Sequence, residues 1–192
     1  MSATAKTIRP ARARKPATSA APAPAAPAAG PGDLAAMRTL ELVFFVHLQM
    51  AHTADEVLVE HGLGRPHHRV LYFAAREPGI AVGSLLSLLR ISNQALARTT
   101  QQLTAKGLLE QRYSTEDRRV RRNYATAKGQ SLLRLLTRRQ LEQISRAQSR
   151  LSPAEIQCMW DALSVMARPE DLAWVNAHPI DLPAPPARGK AG

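Results

Sequence analysis

Arginine and lysine crowd one short polar stretch of this chain. Residues 114–129, STEDRRVRRNYATAKG, hold Arg118, Arg119, Arg121, Arg122 and Lys128, with Arg112 just upstream and two carboxylates, Glu116 and Asp117, among them. Like charge packed this closely repels itself unless it faces an anion or is left in water. From Arg90 to Lys128 there are nine Lys or Arg (Arg90, Arg98, Lys106, Arg112, Arg118, Arg119, Arg121, Arg122, Lys128) against three acids (Glu110, Glu116, Asp117). A segment this basic suits a phosphate backbone. The whole chain leans the same way: its formal net charge is +11 and its pI about 11.0, which points to a polyanionic partner, nucleic acid or an anionic membrane surface.

Other chemistries find no residues to carry them. The sequence holds no glycine-rich phosphate loop, no Gly-x-Ser-x-Gly elbow and no His-Glu-x-x-His spacing around His61, His67 or His68, so neither catalysis nor a bound cofactor is expected. The single cysteine, Cys158, excludes an intramolecular disulfide and a Cys-rich zinc module. Among Ile156, Met159 and Trp160 it reads as a small buried hydrophobe, and a reducing, cytoplasmic setting fits. The longest apolar run, LELVFFVHLQMA at residues 40–51, stops short of the ~20 residues that span a bilayer, so no transmembrane helix and no membrane partner are expected.

The elements that must position the basic cluster are mostly helical. Residues 1–32, rich in Ala and Pro with Lys6, Arg9, Arg12, Arg14 and Lys15, read as a disordered basic arm, either a solubilising tail or an accessory contact to DNA phosphates. Apolar residues on helical spacing from Leu34 to about Glu60 predict a long first helix, core-facing on more than one side and stopped by Gly62 and Gly64. A second helix runs from Pro66 to Arg76, and Pro78-Gly79 ends it. After the apolar GSLLSLLRI, Ser92 caps SNQALARTTQQLTAKG and Gly107 terminates it. Residues 108–113 and 120–126 are short extended segments flanking the turn STEDR, so the arginines sit on a β-hairpin. Thr126 caps a helix over about 127–150, and Ser152-Pro153-Ala154-Glu155 is a capping box opening a last helix at about 153–167. Residues 171–192 read as a C-terminal tail.

This order predicts a mainly α fold with a small β-hairpin wing: a winged helix-turn-helix at about 65–126 inside a domain of 33–170, with long dimerisation helices at about 34–62 and 127–167. In such a unit the second helix of the pair enters the major groove while its partner crosses the backbone. Ser92, Asn93, Gln94, Arg98, Thr99 and Gln102 form the face expected toward DNA, since Asn and Gln pair with adenine and Arg with guanine. Leu96 and Leu103 should point inward. The end helices carry more apolar surface than a winged unit can bury alone, and exposed apolar surface of that size usually means a partner.

GIAVGSLLSLLRISNQALARTTQQLTAKGLL followed by DRRVRRNYATAKG resembles the MarR family of bacterial transcription regulators over roughly residues 34–167. Its most specific part is Asp-x-Arg (Asp117, Arg118, Arg119), seven residues, then Ala-Lys-Gly where many members have Pro-Lys-Gly. The resemblance implies that Arg119 enters the minor groove with Asp117 supporting it, while Arg118 and Arg121 add to the basic wing. It further implies a homodimer on a pseudo-palindromic operator with half-sites about one helical turn apart, ~34 Å. Repression is the commonest outcome in such regulators, and activation stays open. One departure is Ala81, where the first helix of the pair lacks a capping Ser or Thr.

Family members are often released from DNA by a small aromatic anion bound between the dimerisation helices and the winged unit. Arg38, Phe45 and His52, spaced by sevens, share one stripe of the first helix, and His68 and Tyr72 are an i, i+4 pair on the second. Together they could hold a small aromatic carboxylate, or they could be surface, core and satisfied polar residues. The PHHRVLYFAAREPGI segment is similar to a subgroup that includes regulators of aromatic and nicotinate catabolism and of surface polysaccharide, which suggests a hydroxynicotinate-like ligand. Two other readings remain: a sequence-indifferent architectural DNA-binding protein, and a metal- or redox-responsive regulator of the same fold.

Overall fold

The computed structural model describes residues 30–180. The basic arm, as far as residue 29, and residues 181–192 lie outside the described residues. The chain divides after Glu41 into two units, with helix α1 (Pro31–Glu60) running through the division. In the first unit the Asp33 carboxylate accepts the Gly30 N–H at 3.0 Å, and Arg38 lies 3.7 Å from Glu41.

The second unit continues with α2 (Arg65–Arg76), β1 (Ile80–Ala81), α3 (Val82–Leu89), α4 (Asn93–Ala105), β2 (Leu109–Tyr113), β3 (Arg121–Ala125), α5 (Ala127–Gln148), α6 (Pro153–Met166) and α7 (Pro169–Ala177). The capping chemistry read from the sequence is present. Ser92 Oγ accepts the Ala95 N–H, Thr126 Oγ1 accepts the Gly129 N–H, and Ser152 and Glu155 close their box reciprocally. Gly107 follows α4 at φ +67°, a left-handed turn that a side chain would strain. Ala81 makes no side-chain cap; instead β1 leads straight into α3.

The three strands form an antiparallel sheet in the order β1-β3-β2, with Ile80 opposite Asn123, Gln111 opposite Asn123, and Tyr113 opposite Arg121. Two-residue β1 is an addition to the expected hairpin, too short to show a period of two in the sequence. The core gathers Val70, Leu71 and Ala74 of α2, Leu85, Leu96, Leu103, Leu109, and Leu132 and Leu136 of α5. Of the buried polar residues, one is sealed completely inside it. Asn123, fully buried, donates from Nδ2 to the Ile80 carbonyl (3.0 Å) and accepts from Gln111 Nε2 (2.9 Å), so one amide fastens all three strands. Asn123→Leu keeps the volume but strands both partners. The expected outcome, read by urea denaturation, is a loss of about 2–3 kcal/mol.

Three expectations change here. α1 is not core-facing on several sides: from Leu42 onward only Ala54 and Leu58 enter the core, while Phe44, Phe45 and Leu48 are exposed. A helical period shows that a face is apolar, not what covers it. From Gly32 to Glu60 this helix is also long and apolar enough to cross a membrane by length and composition, its mean hydropathy reaching 1.3, because averaging tolerates charges that interrupt a run. Arg38 and Glu41 interrupt it, as do Asp55, Glu56 and Glu60 nearer its end. Finally, residues 171–177 are no tail but most of α7, which Pro169 opens and Asp171 locks by a two-pronged pair with Arg168 at 2.9 and 2.6 Å.

Candidate nucleic-acid interface

Helix α4 stands against the core through Leu96 and Leu103, as expected, and leaves Ser92, Asn93, Gln94 and Arg98 exposed. Two residues of the expected face are placed otherwise. Thr99 is buried and its hydroxyl donates to the Ala95 carbonyl (2.8 Å), the usual recourse of a threonine inside a helix. Gln102 turns toward α2, where its Oε1 accepts from His67 Nε2 at 2.7 Å. His67 Nδ1 meanwhile accepts the Gly64 N–H, so one neutral tautomer serves both bonds. The residue that sequence reasoning passed over is Gln101. It is exposed, lies seven after Gln94 and three after Arg98, and so falls on the stripe opposite Leu96 and Leu103. With Asn93, Ala97, Gln111 and Arg121 it lines an open trough of about 710 Å³ between α4 and the sheet.

The structure sorts the arginines of the basic segment into three kinds. Arg112 is neutralised where it stands: Glu110 takes two of its N–H groups at 2.7 and 2.8 Å, and this bonding holds the Glu110 carboxyl below its ordinary range. Arg122 turns inward and donates to the Gly79 carbonyl (3.2 Å). Arg90, in the left-handed region at φ 53° where α3 ends, pairs with Asp171 of α7 at 3.1 Å. Arg118, Arg119 and Arg121 are exposed and make no ion pair among the described residues. Asp117 lies at the hairpin tip beside them, and its Oδ1 accepts the backbone N–H of Arg119 (2.9 Å). Its hold on Arg119 therefore runs through the main chain of the turn, not through the guanidinium.

Of the residues expected to hold a small ligand, Phe45, His52, His68 and Tyr72 line no common pocket among the described residues. Arg38 is largely exposed beside Glu41, and Phe45 and His52 lie on the exposed side of α1. Between α1 and α2, Arg65 grips Asp55 at 2.7–3.2 Å, and this hydrogen-bonded pairing lowers the Asp55 pKa. Burial, then the neighbouring Arg69, pushes the His68 pKa below its ordinary 6.5, with Asp55 opposing. Tyr72 lines a different groove, about 720 Å³, walled by Trp160, Leu172, Trp174 and Val175 with Arg76 at its side. The Nε of Arg76 is buried without a hydrogen-bond partner among the described residues, and its Nη2 donates to the His178 carbonyl. Cys158, expected to be buried, is exposed on α6; no group of three or more metal-ligating side chains occurs among the described residues.

The depressed His68 pKa has a consequence for stability. Unfolded, the imidazole takes its proton near pH 6.5; folded, it resists until lower pH. The unfolded chain thus binds more protons in that interval, so this residue's contribution is intact above about pH 7 and is lost as the pH falls through 6.5 and below. Thermal unfolding at pH 8 and pH 5.5 should show a smaller decrease for His68→Gln than for the unaltered protein.

A helix-turn-helix flanked by a three-stranded wing, with its free cations on the wing tip and polar side chains along the second helix, defines a winged-helix nucleic-acid-binding protein. Comparison with known proteins specifies the family. Residues 61–120 match the profile of the MarR family. The chain is 33% identical over 130 residues to the HTH-type transcriptional regulator PetP of Rhodobacter capsulatus, covering 68% of this chain and 78% of that protein. Solved structures share the fold. The transcriptional regulator SlyA gives a TM-score of 0.57 at 22% identity, over 71% of this chain and 97% of that one. A MarR-family regulator from Silicibacter pomeroyi gives 0.57 at 22%, over 72% and 90%. The chain belongs to the MarR family of helix-turn-helix transcription regulators, DNA-binding proteins and not enzymes.

Proposed function

We propose that the protein is a sequence-specific repressor that binds a pseudo-palindromic operator in double-stranded DNA as a homodimer and leaves it when a small aromatic acid binds. The observation that carries this reading is the juxtaposition of α4, exposing Gln94, Arg98 and Gln101, with a wing whose Arg118, Arg119 and Arg121 are free of ion pairs among the described residues. Helix α4 lies in the major groove with Ser92, Asn93, Gln94 and Arg98 toward the bases and phosphates. Arg119 enters the adjacent minor groove, where a narrow A/T-rich tract concentrates negative potential. Thr99 and Gln102 act indirectly, by fixing α4 on its neighbours.

The homodimer is supported by apolar surface that one chain leaves bare. Phe44, Phe45 and Leu48 on α1, and Leu163, Val165 and Met166 on α6, are all more than 40% exposed, a cost in water that a second copy relieves. The same faces give α1 a soluble role without a bilayer. Among the expected ligand residues, Tyr72 has the strongest support, because its groove combines aromatic walls with the Arg76 guanidinium, a setting that suits an aromatic carboxylate of the hydroxynicotinate kind.

Hydroxyl-radical footprinting on the protein's own upstream intergenic DNA tests the reading. Two protected half-sites with centres about one helical turn apart, erased by one member of an aromatic-acid panel, are expected. That acid should also change tryptophan emission, since both tryptophans of the chain, Trp160 and Trp174, line the Tyr72 groove. Uniform protection that no acid relieves would favour the architectural alternative.

A further inference from the structure

The wing carries two stacked arginine–tyrosine pairs, and they differ in one respect. Arg112 lies 5.0 Å above the Tyr124 ring, and Arg121 lies 5.3 Å above the Tyr113 ring. The first arginine has its anion built in, since it donates two hydrogen bonds to the Glu110 carboxylate. The second has none: Arg121 makes no ion pair among the described residues, and its Nη2 donates instead to the Tyr113 phenol oxygen at 3.0 Å. Tyr113 and Arg121 are directly opposed on β2 and β3, so the sheet register fixes the pair before any ligand arrives. Tyr113 is 60% exposed, which is wasteful for an aromatic side chain unless its surface is used.

The phenol chemistry indicates that use. A phenol oxygen that accepts from a guanidinium keeps its own O–H to donate, and a neighbouring cation favours an anionic acceptor for that hydrogen. Guanidinium and phenol therefore present convergent donors to one negatively charged oxygen group. Their location selects the group: Arg121 lines the trough beside α4 with Asn93 and Gln101, while Tyr113 lines the hollow on the wing side with Ser114 and Arg118, so the pair stands where a DNA backbone passing from helix to wing would run.

We propose that Tyr113 and Arg121 together form a binding site for one DNA backbone phosphate between the recognition helix and the wing, with Tyr113 both positioning the guanidinium and donating its own O–H. This rests on the DNA-binding reading above and adds a residue to it. A phosphate held there carries no base information; it fixes the depth and register of α4 on the duplex.

The test measures affinity of the full chain for its own upstream duplex and for a scrambled duplex at two salt concentrations, using Tyr113→Phe, Arg121→Gln and the double variant. Circular dichroism melting confirms that each variant folds. Tyr113→Phe keeps the ring under the guanidinium and removes only the O–H. The expected result is a loss of about fivefold or more on both duplexes alike, as for a hydrogen bond to a charged group. Arg121→Gln should lower the slope of log affinity against log salt by about 1. The double variant should bind within about twofold of Arg121→Gln, since the two residues act as a unit. A Tyr113→Phe protein that binds like the unaltered one, or losses that simply add, would overturn the pair while leaving DNA binding in place. If the unaltered protein binds neither duplex, the DNA-binding reading itself falls, and this site with it.

Discussion

Gly129→Ala is expected to destabilise the protein more than alanine at any other described glycine. A Cβ at this position would sit 2.1 Å from the Leu108 carbonyl oxygen and 3.0 Å from Leu71 Cδ1. The carbonyl cannot step aside, because it accepts the Thr126 N–H at 3.1 Å and belongs to the turn joining α4 to β2. The glycine of Ala-Lys-Gly is therefore a packing residue: it lets the first turn of α5 press against the base of the wing. Forcing a side chain into such a contact displaces backbone, and a loss of about 3 kcal/mol or more is expected, a fall of roughly 10 °C in Tm for a chain of this size. Gly83→Ala is the matched comparison. Nothing lies within 4 Å of its Cβ position in α3, so it should be neutral or stabilise by up to about 1 kcal/mol. Equal melting temperatures for the two variants would contradict this packing account.

Arg119→Ala should leave stability unchanged and cost operator affinity at least tenfold, because its exposed guanidinium makes no ion pair among the described residues. A minor-groove arginine contributes through the local potential as well as its charge. Its loss should therefore be greater on the operator than on a scrambled duplex, in contrast to a pure phosphate contact. Asp117→Ala should do less, since the carboxylate holds the Arg119 main-chain N–H and shapes the turn without gripping the side chain. Fluorescence anisotropy with labelled duplexes separates these outcomes, and an Arg119→Ala protein with full operator affinity would remove the wing tip from the interface.

Much of the architecture was legible because it is written in local signals. Ser92, Thr126 and the Ser152–Glu155 box name their helix starts through side-chain chemistry that acts within four residues, and Leu96 and Leu103 declare their face by spacing alone. What escaped depends on long-range contacts. Thr99 and Gln102 are polar residues on a polar helix, and only the packing of α4 on its neighbours shows that one is buried and the other bonded to His67. The charge count over residues 90–128 was correct as a sum, but no sum tells that Glu110 cancels Arg112 or that Asp171 reaches back to Arg90. Gln101 was available from the same spacing that gave Gln94 and Arg98. α7 was hidden by its place after two strong helix signals, although Pro169 and the acids Glu170 and Asp171 mark its start.

In the function proposed above, α4 and the wing read one DNA sequence in preference to others. The most direct test is the ratio of affinities of the purified protein for its own upstream intergenic duplex and for a scrambled duplex of equal length, at fixed salt. A ratio above ~10³ is expected, within the range of specific regulators, persisting as salt rises while both affinities fall. A ratio near one, with both affinities collapsing together in salt, would contradict it and leave the arginines of residues 118–121 as a clamp on phosphate alone.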